Sequence, residues 1–258
     1  MELPAGLSIF DLRGRTALIT GGSRGLGAGA ARALAAAGAN VVVAARSADD
    51  LRAVCAAIEA DGGKAHAIVA DVTDEAAVEA MVLAAAARFG RLDILVNNAG
   101  KNVRKPALEL SAAEFDDVLS LNLRSYFLCA RAAGRLMVAQ GYGRVINVSS
   151  ILSSIGLPSQ TAYSASKGGV ASLTRVLAIE WASHGVTVNA IGPTYFETEL
   201  TRPLYEDPER REFITSRTPM GRWGQPSELD GALIFLASAA AGYITGQTIF
   251  VDGGWLAW

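Results

Sequence analysis

Charge is scarce in this chain. Only 19% of its 258 residues are charged, and 23 Lys and Arg nearly balance 25 Asp and Glu, for a net charge of −2. No basic block could neutralise a run of phosphates, which argues against nucleic acid as a partner. Cysteine is scarcer still. Cys55 and Cys129 lie far apart in alanine-rich stretches with no CxxC spacing, so no disulfide framework is expected and each thiol reads as a small buried hydrophobe. The histidines, His66 and His184, join no cluster with metal-ligand spacing. The opening MELPAGLSIFDLRGR holds Glu2 and only a short apolar run, unlike a secretory signal. Residues 231–251 carry no charge, but Gly242, Thr245, Gly246 and Gln247 interrupt them. They read as helix, turn and strand rather than a membrane span. A cytoplasmic protein is expected.

Apolar residues are plentiful at 51%, enough for the large core of one undivided domain over residues 1–258. Short β-branched runs at 16–20, 41–45, 67–70, 94–96, 144–148, 187–191 and 248–251 read as strands. They are continuously apolar rather than alternating, as when helices cover both faces of a parallel sheet. Between them lie Ala/Leu-rich helical patterns at 25–37, 48–60, 75–89, 112–140, 162–183 and 227–237. This alternation predicts the α/β class, a Rossmann-type doubly wound parallel sheet of about seven strands with helices on both faces. Residues 192–225 form the one long irregular stretch, read as a substrate lid.

After the first predicted strand comes Thr20-Gly21-Gly22-Ser23-Arg24-Gly25-Leu26-Gly27, opening a helix. Such glycines let backbone approach a pyrophosphate whose charge meets the helix N-terminus, although any tight strand-to-helix turn favours glycine. An NAD site commonly places an acid near the end of the second strand. This chain has Arg46 there instead, 19 residues past Gly27, with Arg24 as a second guanidinium in the glycine loop. The pair suits a 2′-phosphate, hence NADP(H); the alternative is two solvated arginines. Asp71-Val72 ends the third strand, where the acid could meet an adenine amino group or precede a helix capped by Thr73. Asn98-Ala99-Gly100 follows the fourth, small enough to let a ligand pass close.

Tyr163 and Lys167 are four apart and share one helix face. A phenol titrating near ~10 is a poor base at neutral pH, and a nearby ammonium would favour its ionised form. Ser150 ends the fifth strand, 13 residues before Tyr163. Tyr-x-x-x-Lys alone arises by chance on many helices; with the serine pair and glycine loop upstream, a functional pair is the better reading.

TGGSRGLG, ADV, NNAG, LNLRS, VSS, YSASK and VDGG occur in this order across the chain. Their combination resembles the short-chain dehydrogenase/reductase family over essentially the whole length. The resemblance implies that Gly21, Ser23, Gly25, Leu26 and Gly27 face the pyrophosphate, that Asp71 and Val72 border the adenine, and that Asn98, Ala99 and Gly100 border the nicotinamide side. It implies a catalytic tetrad of Asn122, Ser150, Tyr163 and Lys167. Ser150 would bond the substrate oxygen and Tyr163 move the proton. Lys167 would lower the tyrosine pKa and hold the nicotinamide ribose, and Asn122 would hold a relaying water. Pro193 and Thr198 match positions beside the nicotinamide. Thr194 stands where the family usually has glycine, so altered loop geometry or affinity is expected there. The resemblance also implies a homotetramer; no metal is expected, since no His/Cys/Asp cluster has metal spacing.

Within the family the likeness is strongest to gluconate 5-dehydrogenases and related deoxy-ketouronate enzymes, through NNAGKNVRKPALE, YFETELTRPLYED, GRWGQPSEL and VDGGWLAW. It implies a small sugar-acid substrate, with Arg104 on its carboxylate and Ser150, Tyr163 and Tyr195 lining the pocket. Arg104 lies in a basic loop with Lys101 and Lys105 that could simply be solvated. The lid residues Tyr195, Phe196, Leu204 and Tyr205 could instead receive a lipophilic ketone. A 3-oxoacyl carrier-protein reductase is the rival, although its two docking arginines correspond here to Gly141 and His184. A non-catalytic nucleotide sensor is the remote alternative, disfavoured by the intact tetrad.

Overall fold

The computed structural model describes residues 6–199 and 201–258. Seven parallel strands form one sheet: β1 (Thr16–Thr20), β2 (Asn40–Ala45), β3 (Lys64–Val69), β4 (Ile94–Asn97), β5 (Gly143–Val148), β6 (Val186–Pro193) and β7 (Thr248–Val251), in the order β3-β2-β1-β4-β5-β6-β7. Successive side chains of a strand point to opposite faces, and both faces here are covered. Leu18, Val42, Leu95, Val145 and Val188 face one core beneath helices α3 (Glu75–Phe89), α5 (Ser125–Gln140) and α6 (Thr161–Trp181). Ala17, Ile19, Val41, Val43, Val96 and Ile146 face the other, beneath α1 (Gly25–Ala36), α2 (Ala48–Ala60) and α9 (Asp230–Ala237). Double burial explains the unbroken apolar strands. Strand order reverses between β1 and β4, which opens a crevice at their carboxyl ends.

Three sequence expectations need correction. The single helix expected over 112–140 is α4 (Ala112–Leu119), a π-turn (Ser120–Arg124) and then α5. Strand β3 starts three residues earlier than its apolar run, because Lys64 and His66 pair with Asn40 and Val42 of β2. The lid at 192–225 is not irregular throughout: it folds into α7 (Arg202–Glu206) and α8 (Pro208–Arg217), the latter started by the Asp207 carboxylate accepting from the amides of Glu209 and Arg210. The uncharged 231–251 stretch resolves into α9, a 3-10 turn and β7. Among the described residues no helix is long and apolar enough to cross a membrane.

Opposite the crevice, Asp93 ties the amino ends of β1 and β4 together. Its fully buried carboxylate accepts from the Thr16 amide at 3.0 Å, from Arg15 at 3.1 Å and from Arg91 at 2.6 and 2.7 Å. Asp93→Ala strands the Thr16 amide and leaves two arginines crowded without their anion. The expected loss is about 3 kcal/mol, read as a lower urea midpoint. An unchanged midpoint would show that water replaces the carboxylate.

Candidate active site

The glycine loop at the crevice is shaped by steric necessity at two positions. A Cβ on Gly21, which has φ +63°, would come within 2.8 Å of the Ala99 Cα; one on Gly27 would come within 2.2 Å of the Gly21 carbonyl oxygen. Asn98 holds this packing. Its side-chain amide donates to the carbonyls of Thr20 (3.1 Å) and Gly21 (3.0 Å), and its backbone amide donates to the Thr20 hydroxyl (3.1 Å). Asn98 thus locks the loop from β4, a role that neither the asparagine pair nor Thr20 signalled in the sequence.

Gly25 differs: at φ +54° it has nothing within 4 Å of where a Cβ would sit. The adjoining N-terminus of α1 has no side-chain cap, so its amides and dipole are left for an anion. Ser23 and Leu26 flank it, half-buried. Arg24 and Arg46 are both exposed, and neither has a hydrogen bond or ion pair among the described residues. The Asp71 carboxylate accepts from the Thr73 amide (2.9 Å) and hydroxyl (2.7 Å). Those bonds, with a smaller contribution from the Arg46 charge, hold it below the usual carboxylate range. Thr73 is not the cap of α3. Asp74 is, accepting from the amides of Ala76 and Ala77. An uncapped helix N-terminus, with exposed arginines in the glycine loop and at the end of β2, fits a dinucleotide with an extra phosphate. Val72, beside Asp71, is buried in the core under the sheet.

The π-turn gathers the reacting end. Asn122 is fully buried, its side-chain oxygen accepting from the Lys101 amide (2.9 Å). Its amide nitrogen donates to the Lys101 carbonyl (2.8 Å) and the Ser166 hydroxyl (3.2 Å), and Ser166 donates to the Tyr163 carbonyl (2.7 Å). The extra residue of a π-turn is what turns Asn122 inward from an otherwise helical run. Gly100 sits against it, 3.3 Å from the Asn122 oxygen at the place of a would-be Cβ.

Ser150 follows β5 and is buried; its hydroxyl accepts from the Leu152 amide at 3.2 Å. Burial raises the Tyr163 phenol, while the adjacent Ser150 hydroxyl and then the Arg104 charge pull it down. Lys167 follows Tyr163 by one helical turn and is buried beside it. The Lys167 nitrogen lies 5.6 Å from the Tyr163 ring centre and donates to the Val148 carbonyl at 2.6 Å. Burial lowers Lys167 itself to about 7. The Arg104 charge acts on Tyr163 from the loop after β4.

The basic loop separates cleanly. Lys101 pairs with Asp117 and Lys105 with Glu114, both on α4. Arg104 is exposed and has no carboxylate partner among the described residues, yet its charge reaches both Tyr163 and Tyr195. The lid departs from expectation. Phe196 and Leu204 are buried, and Leu204 packs with Ile151, Leu152, Ile214, Trp223 and Trp255. Tyr195 rests on Trp223 and Trp255 with ring centres 5.5 and 5.4 Å apart, and Tyr205 stands edge-on to Trp223. These aromatics pack on one another and on Trp255, while Tyr205 remains exposed. Trp223 and Trp255 stand in the GRWGQPSEL and VDGGWLAW stretches, but nothing in their spacing signalled that they pack beneath the lid.

Pro193 is buried at the end of β6, and the Thr194 hydroxyl is sealed from water without a partner. The Thr198 hydroxyl shares a hydrogen bond with Thr201 at 3.0 Å. Among the described residues no group of His, Cys, Asp and Glu could hold a metal.

Comparison with known proteins agrees with this geometry. The family model described as enoyl-(acyl carrier protein) reductase matches residues 21–256. Gluconate 5-dehydrogenase of Gluconobacter oxydans is 42% identical over 246 residues, covering 95% of this chain and 96% of that protein. The 2-dehydro-3-deoxy-D-gluconate 5-dehydrogenase of Escherichia coli K12 is 44% identical over 257 residues, covering 97% and 99%. The crystal structure of a gluconate 5-dehydrogenase from Burkholderia cenocepacia in complex with NADP and tartrate has a TM-score of 0.95 at 42% identity, covering 98% and 99%. A nucleotide loop, a Ser-Tyr-Lys constellation and full-length likeness converge: the chain belongs to the short-chain dehydrogenase/reductase family.

Proposed function

We propose that this chain is an NADP(H)-dependent oxidoreductase that interconverts a secondary alcohol and a ketone on a sugar acid, a gluconate/5-ketogluconate pair or a close analogue. The observation that carries the reading is Arg104, the cation of its loop left without an acid and whose field reaches Tyr163. A guanidinium so placed holds a carboxylate through paired charge-assisted bonds. Relatives named for gluconate and deoxy-ketogluconate, and one crystallised with NADP and tartrate, support the same chemistry.

A bound nicotinamide supplies or accepts the hydride at the carbinol carbon. Ser150 donates a hydrogen bond to the substrate oxygen. Tyr163 gives its proton to that oxygen in reduction and takes it back in oxidation, helped by the Arg104 charge. Lys167 is placed to hold the cofactor ribose, and Asn122 fixes the start of α6 through Ser166. Arg24 and Arg46 would grip the 2′-phosphate, with the α1 N-terminus and the glycine loop on the diphosphate, Asp71 and Val72 at the adenine, and Asn98, Ala99, Gly100, Pro193, Thr194 and Thr198 around the nicotinamide. Tyr195 would close over the substrate. The rival reading, a reductase of lipophilic keto esters or thioesters, loses support because the lid aromatics pack on one another.

The assembly we propose is a cytoplasmic homotetramer of single-domain chains. Phe127 of α5 and Val176 and Ile179 of α6 are exposed apolar residues on the helices that would meet, and both cysteines are buried free thiols. Sedimentation at micromolar concentration is expected to give a tetramer, and a monomer would overturn this part.

Coupled assays with NADP⁺ and D-gluconate, and with NADPH and 5-keto-D-gluconate, test the reaction. Arg104→Ala is expected to raise the sugar-acid KM at least about 10-fold while NADPH binding holds. Removing the positive charge also leaves the Tyr163 phenol harder to ionise, so the acid limb of the oxidation profile moves to higher pH. Equal KM for variant and parent would remove the carboxylate role. For the cofactor, Arg24→Ala with Arg46→Ala should weaken NADPH by about 100-fold in a fluorescence titration and leave NADH nearly unaffected. Equal weakening of both nucleotides would contradict the 2′-phosphate assignment.

A further inference from the structure

Tyr126 has no role in the chemistry above, yet it touches the lysine at its centre. It lies in α5 and is completely buried. An ammonium group has three N–H donors, and two of those on Lys167 are accounted for. One goes to the Val148 carbonyl at 2.6 Å, and a second, longer one goes to the Tyr126 hydroxyl at 3.4 Å. The Tyr126 hydroxyl donates to the same carbonyl at 3.3 Å, so ammonium, phenol and carbonyl close a triangle. The ammonium also stands 5.1 Å from the centre of the Tyr126 ring.

The phenol is itself held in place. The Tyr126 carbonyl accepts from Asn97 of β4 at 3.4 Å, Asn97 donates to Asn147 of β5 at 2.9 Å, and Asn147 donates to Thr174 of α6 at 2.9 Å. This buried chain runs behind the site from the sheet to the helix that carries Lys167. The titratable groups around the phenol are Lys167 and Tyr163 from α6 and Cys129 from α5. The strands bring only neutral amides and the Val148 carbonyl. Burial keeps the Tyr126 hydroxyl well above its ordinary pKa and therefore neutral, able to accept from an ammonium and donate to a carbonyl together.

We propose that Tyr126 is a positioning residue for Lys167: its hydroxyl and the Val148 carbonyl engage two N–H groups, which fixes the direction of the third toward the cleft that Tyr163 enters. A tetrahedral nitrogen with two anchors has one remaining direction, whereas one with a single anchor swings. The same phenol oxygen solvates the charged form of a lysine that burial brings down to about 7. A bond accepted from the ammonium favours the charged form, so the oxygen acts against that burial. The inference rests on the catalytic reading of Lys167.

The test is Tyr126→Phe, which removes the oxygen and keeps the ring. The Val148 carbonyl retains its Lys167 bond, so no buried acceptor is orphaned and the fold should stand. The chain has four lysines, Lys64, Lys101, Lys105 and Lys167, which makes an NMR titration of the cofactor-free protein carrying 13C at the lysine ε-carbon assignable with one Lys167→Met control. The parent should titrate at Lys167 near 7, and Tyr126→Phe should titrate lower by about half a pH unit or more. In the loaded enzyme, the high-pH limb of the reduction profile should move down with it. A folded variant with an unmoved Lys167 midpoint would overturn the proposal. So would a variant that fails to fold, since the argument requires that the oxygen not hold the structure together. A shifted midpoint in a protein inactive on every sugar acid would leave the positioning role standing and sink the functional reading instead.

Discussion

The close approach of β1 and β4 at their carboxyl ends is the constraint on which this structure depends. Strand order reverses there, and the Asn98 amide bridges the gap by donating to the last carbonyls of β1 and the first of the glycine loop. A side chain on Gly21 or Gly27 would collide with backbone within 3 Å, so the bridge and the glycines require each other. Once it is closed, the N-terminus of α1 is aimed across the crevice and left uncapped. The loop after β4 then runs on to Lys101, whose backbone grips Asn122 on both sides. The nucleotide end and the reacting end are therefore consequences of one junction. Asp93 at the opposite edge, tying the starts of the same two strands, keeps them from sliding.

Most of this frame was legible in the sequence because burial on both faces leaves a simple mark, short unbroken apolar runs separated by helical stretches. The failures are equally physical. The run Ser120 to Arg124 is good helix sequence, and nothing in its composition marks a π-turn. The interruption is set by Asn122 reaching Lys101 and Ser166, contacts remote in the chain. Asp74 takes the cap of α3 from Thr73 because Asp71 already binds the Thr73 hydroxyl and amide. The start of β3 was hidden by Lys64 and His66, polar residues on a strand at the sheet edge.

Within the site, residue types were readable and their electrostatics were not. A tyrosine four residues before a lysine suggests that the ammonium acts on the phenol. Burial complicates the simple version, because taking a lysine out of water lowers its own pKa as well. The influence of Arg104 appears only when the partners of Lys101 and Lys105 are known. Those two are tied down on α4, so the loop presents one cation rather than three. That distinction makes Arg104, rather than Lys101 or Lys105, the loop's candidate for a carboxylate, and spacing alone could not draw it.

Helix α6 shows how such a site is fastened by the protein's own hydrogen bonds. Ser166 donates to the Tyr163 carbonyl and accepts from Asn122, so the first turn is held from the π-turn side. One residue on, Lys167 reaches the end of β5 through Val148. Two turns further, Thr174 accepts from Asn147 of that same strand. Along one face the helix is thus fastened to α5 and β5 by side-chain hydrogen bonds, buried where water cannot compete for them. A phenol mounted on this face has little freedom to swing, and proton transfer depends on that because a displacement of about 1 Å can cost 100-fold in rate. The Tyr163 side chain is positioned less by its own contacts than by the fastening of the helix beneath it.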